Sequence, residues 1–549
     1  MQKLMRAALR TVELLGVMIL AGALSTQHAQ AAPGNCPRPA AGSVVTQPTD
    51  LYSQNGVLSV VFDYVTSLDG ANRTLFCFIT PDGIESPTLH VKPGDTVKII
   101  LRNEVPALPD GTPRETMALA SNVCGSPTMD ATSTNIHFHG TNTPPVCHSD
   151  EVVRTLVDGG ESFTYSVAFP RDEPPGLYWY HPHVHGISEA AVLGGASGAI
   201  VVDGIETVQP AVASLPTRIL LMRDQNVAGN PDPGGDIPSW DVSLNYVPIA
   251  YPALTPAVIA LPPGGREFWR VANASADTIA DLQVSYDGVA QPLEVVGFDG
   301  VPAGSQEGTR QGKLVTMSHI LVPPAGRAEF ILTAPTAGVA QATFETLKVD
   351  TGPDGDNDTR RTLAVLRTTG VTPEALPAMP AAANEPGRQR FEGDDKADVT
   401  ARRTLYFSEV LSDPNNPNSP TNFYVTVDGT APKLFSPTNP PAIVTTQGAL
   451  EEWTIQNRAM ENHEFHIHQI HFKLLARDGM PLPADQQQFF DTVQVPFWSG
   501  RGPYPSVTLR MDFRGKITGD FVYHCHILGH EDAGMMAIIR VLPQQSTGG

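Results

Sequence analysis

The chain has 549 residues, too many for a single hydrophobic core, so three or four domains are expected. Its 50 prolines and 48 glycines lie among short runs rich in Val, Ile, Phe and Thr, with few helix-period apolar runs, which predicts an all-β protein with frequent turns. A formal net charge of −21 with no basic stripe excludes a nucleic-acid-binding surface.

In chain order, residues 1–31 read as an export signal. Lys3, Arg6 and Arg10 precede the apolar core "LLGVMILAGAL", and Ala29-Gln30-Ala31 fits a small-x-small cleavage site. The apolar core is too short to span a bilayer comfortably, and no Arg-Arg pair precedes it. The mature chain is therefore expected to be exported, periplasmic or secreted, and free of the membrane once the signal is cleaved. Disulfides form in such compartments. With Cys525 set aside as a candidate ligand, Cys36, Cys77, Cys124 and Cys147 allow three pairings. Cys36–Cys77 with Cys124–Cys147 is favoured, the alternative being free buried thiols.

Three later segments look alike: "LHVKPGDTVKIILRNEVP", "IALPPGGREFWRVANASAD" and "AIVTTQGALEEWTIQNRAM". Each has an apolar strand, a glycine-containing turn, an alternating strand and a closing Asn, at Asn103, Asn273 and Asn457. Spacings of 170 and 184 residues are too long for a solenoid and suit tandem β-sandwich domains. The expected domains are 36–205, 206–370 and 401–545, with a Pro/Ala-rich linker over 371–400.

The 16 histidines are clustered. "NIHFHG" carries His137 and His139, and "WYHPHVHG" carries His181, His183 and His185. "ENHEFHIHQIHF" carries His463, His466, His468 and His471, and "FVYHCHILGHEDAGMM" carries His524, Cys525, His526, His530 and Met535. Between residues 206 and 400 there is one histidine, His319, so the middle repeat keeps the scaffold without the ligands. On a strand, residues i and i+2 share a face. The pairs His137/His139, His181/His183 and His524/His526 therefore each share one, and Cys525 points the opposite way from its neighbours. Cys525 and His530, fully extended, would stand about 17 Å apart, so the chain must turn back after His526 if both bind one metal. Two His, one Cys and a weak axial Met form a blue-copper electron-transfer site. Zinc also accepts Cys and His, but has no use for a histidine-only cluster wired to such a site.

These four motifs resemble the copper-binding motifs of the multicopper oxidases, in particular the three-domain, laccase-like group, and the resemblance spans essentially the whole mature chain. It implies three tandem cupredoxin-like Greek-key β-sandwich domains and four coppers per chain: one type 1, one type 2 and two type 3. Carried over, the type 1 copper takes His463, Cys525 and His530 with Met535 axial, and the type 2 copper takes His137 and His466. One type 3 copper takes His139, His181 and His526, and the other takes His183, His468 and His524; these two sets are interchangeable in partner. The implied partners are dioxygen and a small reducing substrate, with the chain acting as a monomer. Glu531 resembles the family's proton-relay acid. Asp150 resembles its channel acid, although it sits farther from His139 than is usual and Glu151 is an alternative.

His185 and His471 are read as supports beside ligands, and His90, His148 and His319 have no partners in sequence. "DGDND" at 354–358 lacks the glycine of a calcium loop and reads as a solvated turn. The sequence departs from the family where Glu464, in place of a common proline, follows His463. A carboxylate there would lower the copper's potential, favour a cationic substrate, or be a solvated side chain. The leading functional reading is oxidation of phenols and aromatic amines. The alternatives are a metallo-oxidase acting on Cu(I), Fe(II) or Mn(II), whose cuprous branch is disfavoured because the thirteen methionines are spread out rather than gathered in an insert, and a non-catalytic copper-binding protein.

Overall fold

The computed structural model describes residues 36–108, 124–305, 312–381, 390–416 and 418–544; the expected export signal lies outside them. The described residues are nearly all β, with helical segments of six residues or fewer. No helix among them is long and apolar enough to cross a membrane.

The threefold repeat seen in the sequence is a structural repeat. Each repeated alternating strand lies parallel to an earlier one: Thr96–Asn103 beside Val57–Leu68, Arg266–Asn273 beside Thr217–Asn226, and Leu450–Asn457 beside Ala401–Leu411. Each repeated apolar strand pairs in parallel with the last strand of its own unit: Thr88–Val91 with Gly198–Val202, Ala257–Ala260 with Arg361–Arg367, and Ile443–Thr446 with Met536–Leu542. Parallel neighbours need a crossover rather than a hairpin, so the two halves of each repeat go to opposite sheets of one sandwich. The pairs of sheets have four and five, eight and six, and seven and five strands.

The closing Asn does the same work three times. Asn103 Nδ2 donates to the carbonyls of Thr132 and Val157, Asn273 Nδ2 to those of Thr278 and Val322, and Asn457 Nδ2 to those of Glu461 and Val495. Each side-chain oxygen accepts the N–H two residues on. A buried amide thus supplies backbone groups that leave the ladder with partners they would otherwise lack.

Alternation along these strands fills three separate apolar cores, with Phe62, Phe78 and Tyr180 in the first, Trp269, Phe330 and Phe344 in the second, and Trp453, Phe465 and Tyr523 in the third. A further cluster, including Leu177, Trp179, Ile219 and Ala272, joins the first and second units. Two segments cross the expected boundaries. Val45 packs in the middle core, with its N–H bonded to the Val258 carbonyl. The expected linker is no free spacer in its first part: Thr217 N–H donates to Pro377 O, Met379 N–H to Leu215 O, and Met379 is buried against the middle unit. Both favoured disulfides, Cys36–Cys77 and Cys124–Cys147, are present, and Cys525 is free and buried.

Asn273→Ala leaves two buried carbonyls without donors, at roughly 1–3 kcal/mol each. Calorimetry of this variant is expected to show a lower unfolding midpoint, whereas substitution of the half-exposed Gln283 leaves it unchanged.

Candidate metal centres

Strand Gly519–Cys525 pairs with strand His463–Ile467 so that Cys525 lies opposite Phe465 and His524 opposite His466. The pleat puts Cys525 in the core of the third sandwich and turns His524 away from it. After His526 a short helix, Leu528–Asp532, folds the chain back into strand Met536–Leu542. That return brings His530 Nδ1 to 3.8 Å and His463 Nδ1 to 3.6 Å from Cys525 Sγ, with 3.1 Å between the two ring nitrogens. Met535 is fully buried in the same apolar cluster, and its carbonyl accepts the Cys525 N–H. The Glu464 N–H points at the sulfur from 3.4 Å.

The remaining ligand candidates meet between the first and third sandwiches. Strand His137–His139 pairs with strand Gly176–His181, setting His137 opposite His181. Across the interface His137 stacks on His468 at 3.9 Å and His139 on His466 at 4.1 Å. His139, His181 and His526 form one compact triad and His183, His468 and His524 another, with ring nitrogens within 4.8 Å of one another. His137 and His466 form a third group with His139.

These rings suit a metal. Nδ1–H groups are spent outside the cluster: His137 on Asp150 Oδ1, His181 on Pro182 O, His466 on Asp491 O and His524 on Cys525 O, all at 2.8–2.9 Å. This fixes the tautomer that leaves Nε2 as a lone pair. The Nε2 atoms of His137, His181 and His466 are buried with no protein partner, and those of His183 and His468 each face His524 Nε2 at 3.2 Å. His139 is turned the other way, with Nε2 on Asp491 and Nδ1 unpartnered. Burial, then neighbouring imidazoles, hold His139, His183, His466 and His468 well below the ordinary histidine range, and burial brings His463 down to about 4. Burial also pushes the Cys525 thiol far up. Neutral imidazoles with converging lone pairs are costly to bury unless a cation satisfies them, and a metal's charge is what would hold the sulfur as thiolate.

The multicopper oxidase family matches residues 128–206 and 413–545, the stretches that contain all the histidines above and Cys525. The chain belongs to the multicopper oxidases. The oxidase is 27% identical over 420 residues to a laccase of Haloferax volcanii, covering 73% of this chain and 66% of that protein. It is 22% identical over 485 residues to the multicopper oxidase LPR1 homolog 5 of Oryza sativa, covering 76% and 69%. In fold it is similar to a multicopper oxidase of Campylobacter jejuni described as a metallo-oxidase, with a TM-score of 0.66 and 19% identity over 94% of this chain and 98% of that one. Family membership makes it a copper-dependent oxidoreductase with dioxygen as acceptor, built from cupredoxin-like domains.

Around the clusters, Asp150 rather than Glu151 faces the oxidase's histidines. Its Oδ1 accepts from His137 and from the Phe138 N–H, and its Oδ2 accepts from Gln469 at 2.7 Å. Glu151 instead accepts the Arg154 N–H and the Thr155 hydroxyl. Glu531 is fully buried beside His185, Nδ1 to Oε1 3.4 Å, with its Oε2 unpartnered. His471 supports the site through Asp299 O at 2.8 Å. Two expectations need correction. Glu464 is not solvated and does not face a docking surface: it is fully buried, its carboxyl raised by desolvation, with Gln494 as its hydrogen-bond donor. "DGDND" is not a wholly solvated turn, since Asp358 is 3% exposed.

Sequence reasoning missed Asp491, which lies in "FFDTVQV" with no motif around it. Its carboxylate sits 3.2 Å from His139 Nε2 and is held by both terminal nitrogens of Arg327, from the middle sandwich. Asp299 bonds both the Arg327 and the Asp491 N–H groups. Gly140, directly after His139, has φ +82°, and a Cβ there would lie 2.3 Å from Arg327 Nη2 and 2.5 Å from Asp491 Oδ2, so glycine is required. Glu409 and Glu461 were missed as well. They meet the outer Nε2 atoms of His463 at 3.1 Å and His530 at 3.5 Å.

Asp491→Asn removes the charge that orients His139 and pairs Arg327. Copper affinity of the histidine clusters, or turnover, is expected to fall by about 10–100-fold. The blue absorption of the Cys525 set is expected to remain, as checked by copper analysis and visible spectroscopy.

Proposed function

We propose that this chain is a four-copper oxidase, with one type 1, one type 2 and two type 3 coppers, that takes single electrons from phenols or aromatic amines and passes them to dioxygen to form water. The observation that carries this reading is the register of strand Gly519–Cys525. Three consecutive residues, His524, Cys525 and His526, belong to three different ligand sets, so a few covalent bonds separate the thiolate set from both triads. Sequestration of copper would not need that link, which disfavours a non-catalytic role. Copper bound in these sets supplies electron storage and the reduction of dioxygen.

The chain's own residues supply orientation, protons and access. Asp150 holds His137 in its tautomer. Burial pushes the Glu531 carboxyl up to about 8, so it carries a proton at neutral pH in a pocket shielded from bulk water. An apolar chamber of about 320 Å³, lined by Met129, Val153, Leu156, Phe435 and Met536, opens beside His183 and gives a small apolar molecule such as dioxygen a way in. At the edge of His463, Glu409 is placed to accept a phenolic proton as the electron leaves. The paired disulfides agree with export to an oxidising compartment, periplasmic or extracellular.

A second reading, a metallo-oxidase, is favoured by one observation: both imidazole edges of the Cys525 set carry a carboxylate, Glu409 and Glu461. Two negative groups there attract a cationic donor such as Cu(I), Fe(II) or Mn(II).

Oxygen uptake by the copper-loaded protein tests both readings, with a methoxyphenol, an aromatic diamine and the three metal ions as donors. Glu409→Gln is expected to depress metal-ion oxidation more than amine oxidation if the second reading holds. Cys525→Ser is expected to lose the intense blue band and oxygen uptake with every donor, because a hydroxyl is a poor soft ligand, while the histidine clusters keep their copper. Near-parental turnover in that variant overturns both readings.

A further inference from the structure

Of the three histidines in "WYHPHVHG", only His185 stays outside the histidine triads. It lies where the first and third sandwiches meet. Its side chain is 27% exposed, whereas Glu531 beside it is fully buried. The ring packs edge-on against Phe435, with centroids 4.8 Å apart. The residues that follow are pinned to the short helix Leu528–Asp532. The Asp532 carboxylate accepts the N–H groups of Gly186 at 2.6 Å, Ser188 at 3.3 Å and Glu189 at 2.9 Å. The two sandwiches thus hold one imidazole and two consecutive carboxyls in a fixed relation.

One ring nitrogen of His185 and one oxygen each from Glu531 and Asp532 lie within 4.8 Å of one another. His185 Nδ1 and Glu531 Oε1 are 3.4 Å apart. That is long for a charge-assisted hydrogen bond, which runs to about 2.7–2.9 Å. It matches the edge of a tetrahedron with bonds of roughly 2.1 Å to a central ion, which is about 3.4 Å. Glu531 Oε2 is buried with no partner. A carboxylate oxygen has about two lone pairs, so the Asp532 oxygen that accepts the Glu189 N–H can still ligate. Burial, then the Glu531 charge, holds the Asp532 carboxyl well above its ordinary range, and His185 offsets only part of this. Two acids therefore crowd one imidazole with positive charge in deficit. His185 and Gly186 also line the chamber of about 320 Å³, which gives an ion access to the imidazole.

We propose that His185, Glu531 and Asp532 form a site for one divalent cation of the zinc class, distinct from the four coppers, and that an ion held there slows oxygen reduction by occupying the oxygens through which Glu531 carries its proton. The inhibitory half rests on the role given to Glu531 above; the site itself does not. The donor set selects the class. One imidazole with two carboxylates suits Zn²⁺ or Cu²⁺, whereas Ca²⁺ and Mg²⁺ take oxygen ligands. Zn²⁺ is redox-inert, so its effect is separable from that of added copper.

The test equilibrates the copper-loaded full chain with Zn²⁺ and counts both metals. One Zn²⁺ per chain is expected to bind saturably with copper content unchanged. X-ray absorption at the zinc edge is expected to show one imidazole among oxygen ligands and no sulfur. Oxygen uptake at saturating donor is expected to fall at least about ten-fold. Blue absorption during turnover is expected to fall with it, because electrons back up on the Cys525 set; an ion that blocked the donor instead would leave that set oxidised. His185→Gln and Asp532→Asn are each expected to bind Zn²⁺ at least about ten-fold more weakly and to relieve the inhibition in step. Should Asp532→Asn fail to fold, His185→Gln at a partly exposed position carries the comparison. The proposal is overturned if no Zn²⁺ binds beyond the coppers, if the zinc spectrum shows sulfur or three imidazoles, if the variants bind Zn²⁺ as tightly as the parent, or if bound Zn²⁺ leaves uptake and blue absorption unchanged. Failure of the four-copper reading shows separately, as a low copper count or a missing blue band before Zn²⁺ is added, and the zinc count is made in either case.

Discussion

Side-chain alternation on one strand governs this molecule. Because successive residues of Gly519–Cys525 project to opposite faces, a buried thiol and two flanking imidazoles are committed to separate ligand sets only a few bonds apart. A slip of one residue against His463–Ile467 would exchange the faces and destroy every set at once. The register is held by the paired strands on both sides and by the apolar core in which Cys525 and Met535 are packed. The precision demanded of the metal centres is therefore supplied by the same burial that stabilises the third sandwich.

The first and third sandwiches bring eight imidazoles together, and burying them is expensive. The rings must stay neutral, and the outward N–H groups of His137, His181, His466 and His524 find acceptors in a carboxylate and backbone carbonyls around the cluster. The middle sandwich carries none of these histidines yet is not a spacer. Arg327 reaches from it to Asp491, and Asp299 ties both backbones, so the orientation of His139 depends on a domain that supplies no ligand. A buried Arg–Asp pair gains little net stability over an apolar pair, but losing one partner is costly. Its value here is positional. An acidic cavity beside His530 puts the same middle sandwich on the other side of the machinery.

Much of this was legible in the sequence. Short β-rich runs and a threefold repeat gave three sandwiches, the H-x-H and H-C-H spacings gave strand faces, and the span from Cys525 to His530 required a turn that the structure fills with Leu528–Asp532. The two disulfide pairings were also favoured correctly. The misreadings share a cause. Asp491, Arg327 and Glu409 sit in stretches with no motif signal, and Glu461 opens the "ENHEFHIHQIHF" motif without being at ligand spacing, because what defines all four is a neighbour 50 or more residues away. Glu464 and Asp358 were open to being read as solvated because charged residues usually are, and only the packed structure buries them.

The sequence by itself determined which residue types recur at ligand spacing and which face of a strand each occupies, since both follow from a covalent repeat of two residues. The tertiary structure alone decided which carboxylates stand behind those ligands, that Asp150 rather than Glu151 meets His137, and that acids of the second and third sandwiches line one cavity. Those outcomes depend on distances through space between separately folded sheets, and no local spacing along the chain encodes them.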